Sequence, residues 1–248
     1  MKLIKLEGYE FSFDENLDIP YMREELLRLY WQMHPRFRFV KSCKDGNLLD
    51  IGSGSGSLSF WKEWGHPIRS KLRMFAVDMQ AGEFVERYEA FQTCNLEHTD
   101  IPYKNDFFDH VLSAHVFEHL QQPVNLIKNI ARILKKGGMA YIEQPNGNSL
   151  YAPRRCEFQN AGIACATTTT NFYDDQTHRT PYSSDEIIQL FSEHAGNLFE
   201  VVEKGTVWNE YLKDYMLAYA FREQDTEIWT YAVWLHFLWS DYVILRKR

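Results

Sequence analysis

The sequence predicts an α/β protein: a doubly wound, mostly parallel seven-stranded sheet with helices on both faces. Three observations carry this expectation. Short apolar runs alternate with helical-period segments between residues 47 and 145. The first run, NLLDI at 47–51, is closed by Gly52, Gly54 and Gly56. The run MAYIEQP at 139–145 is apolar almost throughout, as a strand buried on both faces has to be.

The elements follow in chain order. PYMREELLRLYWQMHPRF (20–37) sets Tyr21, Leu26, Leu27, Tyr30 and Trp31 at helical spacing and predicts a helix ending near Pro35. After the strand at 47–51 and its glycine turn, SLSFWKEWG reads as a helix stopped by Gly65, and KLRMFAVD (71–78) as the second strand, which completes a βαβ unit. FQTCNL (91–96) and DHVLSA (109–114) are expected strands, and PVNLIKNIARILKK (123–136) an amphipathic helix stopped by Gly137 and Gly138. Residues 146–182 are turn-rich with no sustained period, and a stretch that long without regular structure points to function or mobility. SSDEIIQLFSEHAG (183–196) has an N-cap serine, acids in its first turn and a closing glycine, hence a helix. FEVVEKGTV and DYVILRKR read as two last strands with a helical segment between them.

Composition narrows the class. A chain of 248 residues with 45% apolar content can bury a sizeable core, and a net charge of −7 provides no basic field for phosphates, which weighs against a nucleic-acid partner. Cys43, Cys94, Cys156 and Cys165 form no C-x-x-C pair, and MKLIKLEGYE soon meets Glu7 and Glu10. The expectation is a cytoplasmic protein without disulfides, zinc knuckles or a signal peptide. The aromatic run IWTYAVWLHFLWS (228–240) falls short of the roughly 20 residues of a transmembrane span and reads as a buried helix, the alternative being a homodimer or membrane-surface contact.

The glycine turn narrows the chemistry. A dinucleotide fingerprint would place its third glycine at Ser57, whereas it falls at Gly56, and no G-K-[ST] follows as a phosphate-binding loop requires. What remains is Asp50 before the glycines and Asp78 closing the second strand, where a carboxylate can accept both hydroxyl protons of a ribose. A ligand with a ribose and an ammonium group and no phosphate fits.

D-I-G-S-G-S-G, A-V-D-M, F-D-H-V-L-S-A-H-V-F-E-H-L and L-K-K-G-G, in this order over residues 45–146, resemble the class I S-adenosylmethionine-dependent methyltransferases, in particular the broad group called type 11. The resemblance implies a Rossmann-like methyltransferase fold and one domain over 1–248. Its parts are a helical extension (1–45), a cofactor-binding core (46–145), a substrate-side loop (146–182), and C-terminal helices with the last strands (183–248). It implies that Asp50, Gly52, Ser53, Gly54 and Gly56 line the methionine and ribose, that Asp78 bonds the ribose hydroxyls, and that Met79 packs on the adenine beside Asn95 and Leu96. Asn95 stands where many relatives carry an aspartate.

Methyl transfer from a sulfonium is a direct displacement, so the protein mainly aligns the reactants, and a protonated acceptor benefits from a base. His119 and His115 in the H-V-x-E-H-L segment and His178 in DQTHRTPY (175–182) are the candidates. His34, His66, His98, His110, His194 and His236 read as surface or core residues. His115, Glu118 and His119 fall at i, i+3 and i+4, one helical face, and an alternative has them bind a divalent cation together with His178. The expected acceptor is a small molecule or glycan, with Tyr151, Phe172, Tyr173 and Tyr182 as pocket walls and Arg154 and Arg155 as a hint of an anionic group. Two other readings compete: a non-catalytic interaction protein, and RNA methylation through Arg23, Arg28, Arg36, Arg38 and Lys41, a strip that acids interrupt.

Overall fold

The computed structural model describes residues 1–6, 9–64, 66 and 68–248. The chain forms two compact units. The larger comprises Pro35–Gln144, Tyr182–Gly205 and Asp241–Arg248; the smaller comprises Met1–His34, Pro145–Pro181 and Thr206–Ser240.

The sheet has seven strands, as the alternation predicts. In chain order after an N-terminal hairpin of β1 (Lys2–Leu6) and β2 (Tyr9–Phe13) come β3 (Gly46–Ile51), β4 (Leu72–Asp78), β5 (Ala90–Thr93), β6 (Phe108–Ala114), β7 (Leu134–Pro145), β8 (Phe199–Thr206) and β9 (Ser240–Lys247). Their spatial order is β5-β4-β3-β6-β7-β9-β8, with parallel pairing from β5 through to β7. β3 pairs with β4 on one side and β6 on the other, so the strand order reverses beside Ile51, which is where ligands of such sheets sit. Leu49, Ile51, Val77, Val111, Ile130 and Phe191 are among the buried side chains that join the sheet to α3 (Val124–Ile133) and α5 (Ser184–Ala195).

Several elements differ from expectation for local reasons. The helix expected over 20–37 is two: α1 (Arg23–Met33) ends at His34, whose extended backbone (φ −71°, ψ 133°) is what a residue before proline adopts, and Pro35 opens α2 (Pro35–Ser42). The segment after the glycine turn is a 3-10 helix, Ser57–Lys62, and its expected stop at Gly65 lies outside the described residues. Gly137 and Gly138 do not end a helix. α3 stops at Ile133, and both glycines lie inside β7, whose register with β6 shifts between Phe108 and His110.

In the smaller unit, α6 (Glu210–Glu223) and α7 (Thr226–Phe237) form a hairpin joined at Gln224, with Asp225 capping α7. Here the clustered aromatics find their reason. Trp229 is fully buried, with Phe11 of β2 at 5.9 Å and Phe158 of α4 (Arg155–Asn160) at 5.4 Å between ring centroids. Trp239 is buried and stacks on Trp234 at 4.7 Å. Among the described residues no helix is long and apolar enough to cross a membrane.

The stretch 146–182 carries more structure than its sequence suggests. Asp174 accepts from the backbone N–H groups of Arg155, Thr170 and Asn171, and Asn171 donates to the carbonyls of Leu150 and Ala152. Side chains thus replace the regular ladder that this segment lacks.

Candidate functional site

The carboxyl ends of β3, β4 and β6 open onto a cavity of about 470 Å³, within the larger unit. Gly52, Gly54, Asp78, Met79, Asn95, Leu96, His115 and His119 line it, together with Glu97, Val116 and Leu120. The three parallel strands fix the directions of the loops that meet here.

The glycine turn and Asp78 form one unit. The Gly54 N–H donates to Asp78 Oδ2 at 2.8 Å, and the Met79 N–H donates to Oδ1 at 2.6 Å. Gly54 has φ +54°, a left-handed conformation that glycine adopts without the cost of a Cβ. Opposite it stands Gly82, at which a Cβ would strike the Gly54 carbonyl oxygen and the Ser55 backbone. Asp50, Ser53 and Gly56 are not among the lining residues. Asp50 is buried behind the turn, where the Tyr88 hydroxyl donates to its Oδ2 at 2.5 Å. Burial pushes the Asp50 carboxyl up to about 6, against the opposing effects of Tyr88 and Arg36.

Asn95 Oδ1 accepts from the Glu97 N–H at 3.1 Å, which shapes the turn after β5 and leaves the oxygen one further lone pair. Met79 is exposed and Leu96 buried, so the two offer an open and a sunken apolar surface.

The histidines divide. His115 has φ +57°, uncommon for a residue with a Cβ, and its N–H donates to the Glu143 carbonyl at 2.9 Å. Its ring nitrogens Nδ1 and Nε2 each lie 3.3 Å from a carboxylate, that of Glu118 and that of Glu143. Burial opposes a charge on this ring, yet the two carboxylates outweigh it and raise the imidazole pKa. Because His115 precedes a single 3-10 turn (Phe117–His119), the helical face expected to carry His115, Glu118 and His119 does not form. His119 ends that turn and lines the cavity.

His178 belongs to the smaller unit, as do Tyr151, Arg154, Arg155, Phe172 and Tyr173. His178 Nδ1 lies 2.7 Å from the Phe172 carbonyl oxygen, which only accepts, so Nδ1 carries a proton, and Nε2 lies 3.8 Å from Asp175 Oδ2. Arg154 lies 5.5 Å from the Tyr173 ring centroid, and Arg155 donates to the Thr167 carbonyl at 3.1 Å. Both cations are thereby drawn into local contacts.

Residues 21–204 match the family described as a methyltransferase domain. The chain belongs to that family. It is a class I S-adenosylmethionine-dependent methyltransferase, and the methyltransferase has S-adenosylmethionine as its cofactor. Solved structures share its fold at low identity. One, from a complex of the Haloferax volcanii Trm112 methyltransferase activator with a methyltransferase, is 18% identical with a TM-score of 0.56, covering 90% of this chain and 88% of its own. A sarcosine dimethylglycine methyltransferase from Galdieria sulphuraria is 13% identical at 0.56, covering 91% and 87%. The geranyl diphosphate C-methyltransferase of Streptomyces coelicolor, solved with Mg2+, geranyl diphosphate and S-adenosylhomocysteine, is 14% identical at 0.56, covering 92% and 87%. No curated protein matches the chain.

The cavity of this methyltransferase fits a nucleoside cofactor. A bare turn faces it at Gly52 and Gly54, a carboxylate stands at one edge and apolar side chains line the other. Sequence reasoning missed Tyr88, Gly82 and Glu143. Tyr88 and Gly82 follow the second strand with nothing in their own neighbourhood to mark them, whereas an acid inside the near-apolar run MAYIEQP was a readable signal for Glu143.

Proposed function

We propose that this methyltransferase moves the methyl group of S-adenosylmethionine to an oxygen or nitrogen of a small-molecule or glycan-type acceptor, with His119 as the base. The observation that supports it is that His119 lines the same cavity as Gly54 and Asp78. The cofactor supplies an activated methyl and a good leaving group. Asp78, its oxygens each already accepting one backbone N–H, keeps lone pairs for the ribose hydroxyls. Met79 and Leu96 cover the adenine and Asn95 meets its edge. Gly52 and Gly54 admit the sulfur end of the cofactor, with Asp50, Ser53 and Gly56 shaping the turn from behind. His119 in its neutral form accepts the acceptor's proton as the methyl arrives. His178 is the second candidate for that role.

A reducing cytoplasm suits the four free cysteines. A homodimer or membrane-surface contact through α7 is the weaker reading, since Trp229, one of its two tryptophans, is fully buried. The alternative of a non-catalytic binding protein parts from the enzyme in one experiment. Labelled S-adenosylmethionine is offered with panels of hydroxylated, amine-bearing and saccharide acceptors, with Asp78→Ala as the control. Label on an acceptor with the wild type alone supports transfer. Tight binding of S-adenosylhomocysteine with no label on any acceptor favours the binding protein.

A further inference from the structure

The smaller unit holds a groove of its own, about 350 Å³ in volume. One wall is a run of threonines. The Thr167 hydroxyl donates to that of Thr226 at 3.1 Å, Thr168 is hydrogen-bonded to Thr230, and the Thr169 carbonyl accepts from Trp234 Nε1 at 2.9 Å. Three successive residues are thus laced to positions 226, 230 and 234, which share one face of α7. Glu227 and Tyr231, one helical turn apart, complete the lining beside Trp234. Both rings are backed by another ring. Tyr231 stacks on Tyr30 at 4.6 Å with 7° between the planes, and Trp234 on Trp239 at 4.7 Å with 12°. Their planes are therefore set before any ligand arrives, which spares part of the ordering cost of binding.

We propose that this groove binds a neutral saccharide, a pyranose laid against Tyr231 and Trp234 with its hydroxyls on Glu227 and Thr226. The polar groups decide the class. Glu227 is the one charged side chain in the lining among the described residues. Its charge is answered by Arg23, whose Nη2 donates to Oε2 at 2.8 Å, and by the N-terminus of α7; Arg23 also serves Asp225, outside the lining, at 2.6 Å. An anionic ligand would meet no cation in this lining, and a cationic one no uncompensated acid. Hydroxyl groups suit what is left. Glu227 accepts from Arg23 and, at 3.2 Å, from the Tyr231 hydroxyl, and a carboxylate has about four acceptor sites, so about two remain. Thr226 accepts from Thr167 and has its own hydroxyl proton to donate. Thr230 gives its proton to the Thr226 carbonyl at 2.8 Å, so Thr168 is the donor in the bond between them and its oxygen can accept. A ligand that donates and accepts at neighbouring atoms is a polyol. Trp234 spends its N–H on Thr169 and presents ring carbons, whose electron-rich face attracts the C–H face of a pyranose. For the methyltransferase this names saccharides as the acceptor class, a step that rests on the proposed function, whereas the binding itself does not.

The test is saturation-transfer NMR of the full chain without cofactor. The probes are the methyl pyranosides of glucose, galactose, mannose and N-acetylglucosamine, with choline and phenol as the rival ligand classes. Transfer to the ring protons of at least one pyranoside is expected. It should fall at least fivefold in Trp234→Leu, which removes a platform, in Thr226→Val, which keeps the shape and removes a donor, and in Glu227→Ala, which removes the acceptors. Should Trp234→Leu fail to fold, the other two variants carry the test. No response from any pyranoside overturns the proposal, and so does a response that all folded variants retain. Choline or phenol responding alone, with loss in the same variants, overturns it in favour of a cationic or a purely apolar ligand. A bound pyranoside in a protein that transfers no methyl group would sink the proposed function and leave the groove; label on an amine with no pyranoside bound would do the reverse.

Discussion

The Tyr88 hydroxyl donates to the carboxylate of Asp50 at 2.5 Å in a place closed to solvent, immediately behind the turn that carries Gly52 and Gly54. A charge is thus held where water cannot reach it, with a neutral donor as its shown hydrogen-bond partner. Such an arrangement lowers the stability of the folded protein at neutral pH.

The pH dependence follows with a definite sign. Burial raises the Asp50 carboxyl from its ordinary 3.8 to about 6, so the folded state binds this proton more tightly than the unfolded chain does. The contribution of Asp50 to stability is complete below pH ~4 and is lost as pH rises through ~6, a penalty of at most about 3 kcal/mol at neutral pH. Asp50→Asn keeps an acceptor for Tyr88 and removes the charge. Thermal melts should show it more stable than wild type at pH 7.5, with the gap closing near pH 4, while calorimetry shows weaker S-adenosylhomocysteine binding. A variant less stable than wild type at pH 7.5 contradicts the argument.

Gly82→Ala tests the close approach of two backbones. Its Cβ would meet main-chain atoms of Gly54 and Ser55, which cannot swing aside as a side chain would. Stability should fall by about 2 kcal/mol, as overpacking commonly costs, and S-adenosylhomocysteine affinity should drop at least tenfold because Gly54 is the residue displaced. Full affinity in the variant would mean that the turn yields easily.

His119→Ala should leave S-adenosylhomocysteine binding within about threefold of wild type and slow methyl transfer by about 10²-fold or more, the usual contribution of a positioned base. The loss should shrink toward high pH, where a hydroxyl or amine acceptor sheds its proton unaided. An unaltered rate moves the role to His178, whose own alanine variant provides the parallel measurement.

Asp174→Ala should open the stretch 146–182. It removes the acceptor for three backbone N–H groups and for the Thr170 hydroxyl, at about 1 kcal/mol for each bond. Limited proteolysis should cut within this stretch at least tenfold faster than in wild type, with the sheet core intact.

How legible each part was in the sequence depends on where its cause lies. β3, β4 and β6 are short apolar runs punctuated by turn residues, and their burial in the sheet repeats that pattern. The Gly54–Asp78 contact was equally readable, because a bare turn after one strand and an acid after the next become neighbours in any parallel pair. Spacing misled where the backbone leaves its regular path. His115 and His119 are four apart, yet the left-handed φ of His115 and the 3-10 turn after it cancel the helical face. Gly137 and Gly138 read as a helix stop but serve a strand that begins with Leu134. The β1–β2 hairpin drew no expectation, since Phe11 and Phe13 acquire meaning only against Trp229, more than two hundred residues later.

The smaller unit is assembled from three separate stretches, the last of which ends at Ser240. During synthesis the hairpin at residues 2–13 must therefore wait, with Phe11 and Phe13 unshielded, until Trp229 has left the ribosome. Deletions within 206–240 should thus harm the hairpin at residues 2–13, and no contiguous fragment can stand in for that half.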